Sequence, residues 1–127
     1  MADRETNDVG LLLARVLLGA VFVATGVYKL RDVAGLAADL EAWNFPLTHA
    51  TAWAVALFET LGGLALIVGL RGGWVALALA LYLVPATLIF HTDFDNVGQV
   101  THLIKNAGLI GGLLGVWATR GGRLRLL

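Results

Sequence analysis

The residues able to do chemistry in this 127-residue chain are few, and they stand out against what surrounds them. Arg15, Glu59, Lys105 and Asn106 each interrupt a long apolar run. A charge at membrane depth costs a few kcal/mol at least, so it faces protein, finds a partner and marks either function or helix register. With the runs taken as helices rising about 1.5 Å per residue, Arg15 and Lys105 fall on opposite sides of the level of Glu59, each about 6 to 8 Å away along the axis. That spacing predicts a chain of Arg15, Glu59 and Lys105 through the core of a bundle, with one positive charge in excess. A loop carboxylate such as Asp93 or Asp95, loss of the Lys105 proton, or a bound anionic or carbonyl-bearing ligand would answer it. The same trio also reads as polar glue that only holds helices in register. Arg15 and Lys105 are long enough to snorkel to the nearer interface, whereas Glu59 is short and central.

The histidines are a second feature. His91 closes one apolar run and His102 opens the next, so antiparallel helices bring them to similar depth. His102, Lys105 and Asn106 share a face by their i, i+3, i+4 spacing. Two such imidazoles suit hydrogen bonding or proton exchange at the interface better than ligation of a haem or metal. No nucleophile constellation, zinc spacing or phosphate-binding glycine loop accompanies them, so no metal ligand is expected.

These groups must be positioned by membrane helices. The chain is 58% hydrophobic and 14% charged, with a mean hydropathy of +0.80, far from the composition of a small water-soluble domain. Lys+Arg and Asp+Glu are both 9, which leaves no basic field for nucleic acid, and the absence of cysteine excludes disulfides, CxxC redox chemistry and thiolate metal sites. Four apolar stretches are long enough for a bilayer core, at about 9–28, 50–70, 74–90 and 100–119. They predict an all-α fold, a four-helix transmembrane bundle of antiparallel up-down topology, treated as a single domain over 1–127. Between spans one and two, Leu36, Leu40 and Trp43 recur at helical spacing and predict a short interfacial helix. The mixed-charge start MADRETND predicts a retained anchor, not a cleaved leader. Arg4, Arg71, Arg120, Arg123 and Arg125 fall on one face of the membrane against Lys29 and Arg31 on the other, which places both termini in the cytoplasm and the chain in the cell (inner) membrane. Gly19 and Gly26, then Gly62, Gly63 and Gly69, then Gly108, Gly111, Gly112 and Gly115 predict packing seams on spans one, two and four.

Four features stand in order along the chain: ARVLLGAVFVATGVYKL in span one, FETLGGLALIVGL in span two, His91 at the end of span three, and HLIKNAGLIGGLL in span four. In these features, over Leu11 to Trp117, the chain resembles DoxX-type membrane proteins. Arg15, Gly19, Gly26 and Lys29 fall on the first motif, Glu59, Gly62, Gly63 and Gly69 on the second, and Lys105 and Asn106 on the last. Where many relatives have His just before the glycine of the first motif, this chain has Thr25. The resemblance implies a four-helix integral membrane protein acting as an oxidoreductase subunit; some relatives are similar to the small subunit of thiosulfate:quinone oxidoreductases, and others are linked to thiol-oxidant defence beside separate enzymes.

Together these readings give a functional expectation. The bundle holds a quinone-like ligand, with no cofactor covalently bound. Lys105 and Asn106 donate to a ligand oxygen, Arg15 and His102 complete the binding set, Glu59 accepts or relays a proton, and His91 connects it to the outer face. Electrons come from another subunit, so the expected partners are the lipid bilayer, other membrane subunits or a second copy, and not nucleic acid. The alternative expectation is a non-catalytic accessory subunit whose charged residues hold the fold.

Overall fold

A computed structural model describes residues 2–42, 44–71, 73–90 and 97–124. The chain is all-helical among them: α1 (Ala2–Leu30), α2 (Val33–Ala42), α3 (Thr48–Val68), α4 (Trp74–Phe90) and α5 (Val97–Ala118). Two stretches, Asn7–Leu30 of α1 and Thr48–Val68 of α3, are long and apolar enough to cross a membrane. α4 has 17 residues, at the lower bound for a span. α5 has the length, at 22 residues, but carries Gln99, His102, Lys105 and Asn106 in its first half.

The side chains are distributed as in a molecule whose solvent is itself apolar. Small residues fill the centre, with Ala52, Ala56 and Ala76 fully buried, while Leu17, Leu61, Leu81 and Ile104 point outward and are each at least 60% exposed. Water would not leave apolar surface of that extent uncovered.

Backbone contact between α1 and α3 sets the register of everything else. A Cβ added to Gly19 would lie 2.6 Å from the Gly63 carbonyl oxygen, and one added to Gly63 would lie 2.6 Å from that of Gly19. About two turns further along α1, a Cβ on Gly26 would meet the Thr60 backbone nitrogen at 2.6 Å. The two helices are therefore antiparallel and in direct main-chain contact, which only glycine permits. Thr25 is thereby level with Glu59. Counting along both helices, α1 ends about 9 Å short of the start of α3. The gap is filled by α2, whose Leu36, Ala37 and Leu40 pack on Ala52 of α3.

α3 stops at Gly69, whose left-handed backbone (φ 78°) lets its N–H reach the Ala65 and Leu66 carbonyls. α4 then returns antiparallel, with Leu79 against Gly62, and Phe22, Leu66, Leu79, Leu83 and Leu113 form the main core. After α5, Arg120, Gly121 and Gly122 all take positive φ and turn the tail back across the start of α1. There the Arg123 N–H donates to Asp8 Oδ1 at 3.2 Å, and the Leu124 carbonyl accepts from Arg15.

The expected glycine seams divide. Gly19, Gly26, Gly62 and Gly63 pack helices as expected, Gly69 is a helix cap, and Gly112 meets only Leu18. Gly108, Gly111 and Gly115 face open space, so the α5 stripe is not a seam within the chain.

Candidate functional site

A cavity of about 630 Å³ lies between α1, α4 and α5, with α3 at its back. α1 and α5 touch near Leu18 and Gly112, and the cavity occupies the space between them toward the α2 end. Its wall is mostly apolar, including Val21, Phe22, Leu83, Ala86 and Leu109. Its polar groups fall into two clusters.

The first is centred on Glu59, which is 4% exposed. Thr25 and Lys29 are four residues apart on α1 and present one face to it. Lys29 Nζ forms an ion pair with Glu59 Oε2, Thr25 donates to Oε1 at 3.0 Å, and the Tyr82 hydroxyl donates to Oε2 at 3.1 Å. Tyr82 is steadied by Phe58, whose ring centroid is 5.1 Å from its own. Three helices thus converge on one carboxylate, and its charge is cancelled within the cluster.

The second cluster belongs to α5. His102, Lys105 and Asn106 all line the cavity. Asn106 Nδ2 donates to Thr87 Oγ1 at 3.0 Å and so ties α5 to α4. Lys105 has no ion-pair partner among the described residues. With the Lys29 and Glu59 charges paired, Lys105 is a surplus cation beside an apolar space.

The structure brings together Glu59, His102, Lys105 and Asn106 but separates them from Arg15. Arg15 is 1% exposed and lies about 15 Å along α1 from Thr25; it donates to Leu124 and does not line the cavity. The Arg15–Glu59–Lys105 chain is therefore replaced by a Lys29–Glu59 pair. The physical reason is register: the glycine contacts slide α1 so that Thr25, well beyond Arg15, is level with Glu59 and Lys29 reaches the carboxylate from the next turn. His91 lies outside the described residues. Sequence reasoning missed Lys29 and Tyr82 as partners of Glu59. Lys29 follows the apolar run and reads as a loop residue, although its i, i+4 relation to Thr25 places both on one helical face. Thr25 fills the position where the family resemblance leads one to expect His, and it is a direct hydrogen-bond donor to Glu59.

Comparison with known proteins gives a family match. The DoxX family model matches residues 10–92, which takes in most of α1 and all of α2, α3 and α4. Inner membrane protein YqjF of Escherichia coli (strain K12) is 31% identical over 111 residues, covering 87% of this chain and 84% of that protein. No solved structure matches the chain. On the family match and the relative together, the chain belongs to the DoxX family and is a membrane protein.

Proposed function

We propose that the chain is the integral membrane subunit of a quinone-linked oxidoreductase system, with the cavity as the place where a quinone-like ligand sits. α1, α3, α4 and α5 span the cell membrane as an antiparallel bundle, α2 lies in the interface, and both termini face the cytoplasm. The observation that carries this reading is the cavity itself: about 630 Å³, largely apolar, with donors from one helix and a proton-accepting carboxylate in its wall. Its volume is within the usual range for small-molecule sites, and a few convergent polar groups among apolar walls are what orients such a ligand.

A quinone supplies a two-electron, two-proton couple when bound. The chain's own residues do the rest. Lys105 and Asn106 offer N–H donors to a carbonyl oxygen, and Glu59, hydrogen-bonded to Thr25 and Tyr82, accepts or passes on a proton. His102, nearer the end of α5, connects the cavity to the membrane surface. Lys29 keeps the carboxylate paired between transfers. The electron donor in this reading is another subunit, and the chain contains no cysteine that could serve as a thiol reductant itself.

Co-reconstitution of the chain with its native partners and a quinone analogue tests this. Glu59→Gln should lower quinone-coupled turnover by at least tenfold, the usual scale for a proton-transfer group, while the ligand remains detectable by mass spectrometry. Unchanged turnover would remove Glu59 from the mechanism. A second reading, a non-catalytic accessory subunit, is favoured by the open face of Gly108, Gly111 and Gly115 on α5. Recovery of a large membrane complex that is fully active with Glu59→Gln would select it.

A further inference from the structure

We infer that the cavity selects amphiphiles with a single anionic oxygen head, a carboxylate or an acidic enol, that enter sideways from the bilayer between α1 and α5. The inference rests on the reading that this cavity holds an amphiphilic ligand, and it names the charge state the site prefers.

The charge inventory carries the argument. Glu59 is matched by Lys29 and further held by Thr25 and Tyr82, so that cluster presents no net charge to a ligand. Lys105 lines the same space with no ion-pair partner among the described residues. An anion brought by the ligand gives the exposed Lys105 ammonium a charge-assisted partner at the mouth of an apolar space. Among the described residues Lys105 is one surplus cation in the lining, which matches one negative charge on the head.

The shape of the opening selects for a tail. α1 and α5 are in contact near Leu18 and Gly112, while Tyr28 and Lys105 line the cavity and are exposed on its outer side. Apolar side chains such as Val21, Phe22 and Leu109 continue inward from there. A head held at Lys105 therefore leaves its chain lying along apolar wall or out into lipid. This chemistry has two sources, a free fatty acid and an acidic hydroxyquinone, both of which have one ionisable oxygen and an alkyl tail.

The test uses the full-length chain in nanodiscs of phosphatidylcholine alone, so that no anionic surface contributes. Binding of four probes is measured: a long-chain alkyl carboxylate, the alcohol of the same chain, a 2-hydroxy-3-alkyl-1,4-naphthoquinone, and its 2-methoxy ether. At least one acid should bind about tenfold or more tighter than its neutral counterpart, the scale of one charge-assisted hydrogen bond. Preference within the carboxylate pair identifies a fatty acid, and preference within the quinone pair an acidic quinone. K105Q should weaken the acids at least tenfold more than their neutral counterparts and so abolish the preference, K105R should retain it, and R31Q, which removes a cation that does not line the cavity, should leave it unchanged. Equal binding of acid and neutral probes, or a preference that survives K105Q, overturns the inference while leaving a quinone site intact. Binding of the carboxylate pair alone, with Lys105 dependence, retains the inference and removes the quinone reading. Absence of binding by all four probes to wild-type chain overturns both.

Discussion

Removal of Lys29 should destabilise the protein more than removal of the carboxylate it faces. In K29M, Glu59 remains buried, with Thr25 and Tyr82 as its donors. Hydrogen bonds to a charged group contribute about 1.5–3 kcal/mol each, whereas stripping one partner from a buried pair costs about 3–5 kcal/mol. The Lys29 side chain is 31% exposed, which sets the expectation at the lower end, about 3 kcal/mol. In E59M the remaining ammonium has a flexible stem and can turn toward the interface, so that loss should be smaller. K29M/E59M, with neither charge, should fall within about 1 kcal/mol of wild type. Reversible unfolding in mixed detergent micelles, analysed as a double-mutant cycle, measures all three differences. If K29M costs less than about 0.5 kcal/mol, or if the double variant loses the sum of the two singles, the ion pair does not organise the three helices and the reasoning fails.

Gly19→Ala and Gly63→Ala should each lower stability by about 1–3 kcal/mol, because the new methyl group meets main-chain atoms of the facing helix, which cannot step aside, as well as the Ile67 or Val23 side chain; Gly111→Ala and Gly115→Ala, which meet nothing, should stay within about 0.5 kcal/mol in the same unfolding assay. Tyr82→Phe should cost about 1.5–3 kcal/mol through loss of one hydrogen bond to the charged Glu59, with the tilted ring contact to Phe58 preserved and the near-ultraviolet dichroism of the folded protein little changed. Arg15→Met and Asp8→Ala should each release the tail, since they remove acceptor or donor of the contacts that hold Leu124 and Arg123; trypsin should then cleave at Arg120 or Arg123 faster than in wild type, and equal cleavage rates would contradict the staple.

Apolar run length located the helices well where it coincided with turn chemistry. The third run matches α4 to the residue, because Gly73 precedes it and polar residues follow. α1 and α5 run further than their apolar stretches, since helical hydrogen bonding continues through Asp3 to Asp8 and through Val97 to Gln99 without needing a lipid-facing surface. The site was half legible. The i, i+3, i+4 arrangement of His102, Lys105 and Asn106 follows from helical geometry alone, and all three line one cavity. What answers Glu59 was not legible, because it depends on how far α1 slides along α3. That offset is fixed by Gly19, Gly26 and Gly63 in contact across two helices, and no count along a single helix contains it.

The staple between the tail and α1 has a consequence for biosynthesis. The carbonyl that accepts from Arg15 lies 109 residues further along the chain, so the ribosome makes the first helix long before it makes that acceptor. While the intervening helices are being made, Arg15 lacks this contact, and its guanidinium must be kept hydrated or otherwise partnered until the tail arrives. Completion of the tail then acts as a latch, and a C-terminal truncation ahead of Leu124 should be recognised by membrane quality control even though every helix is present.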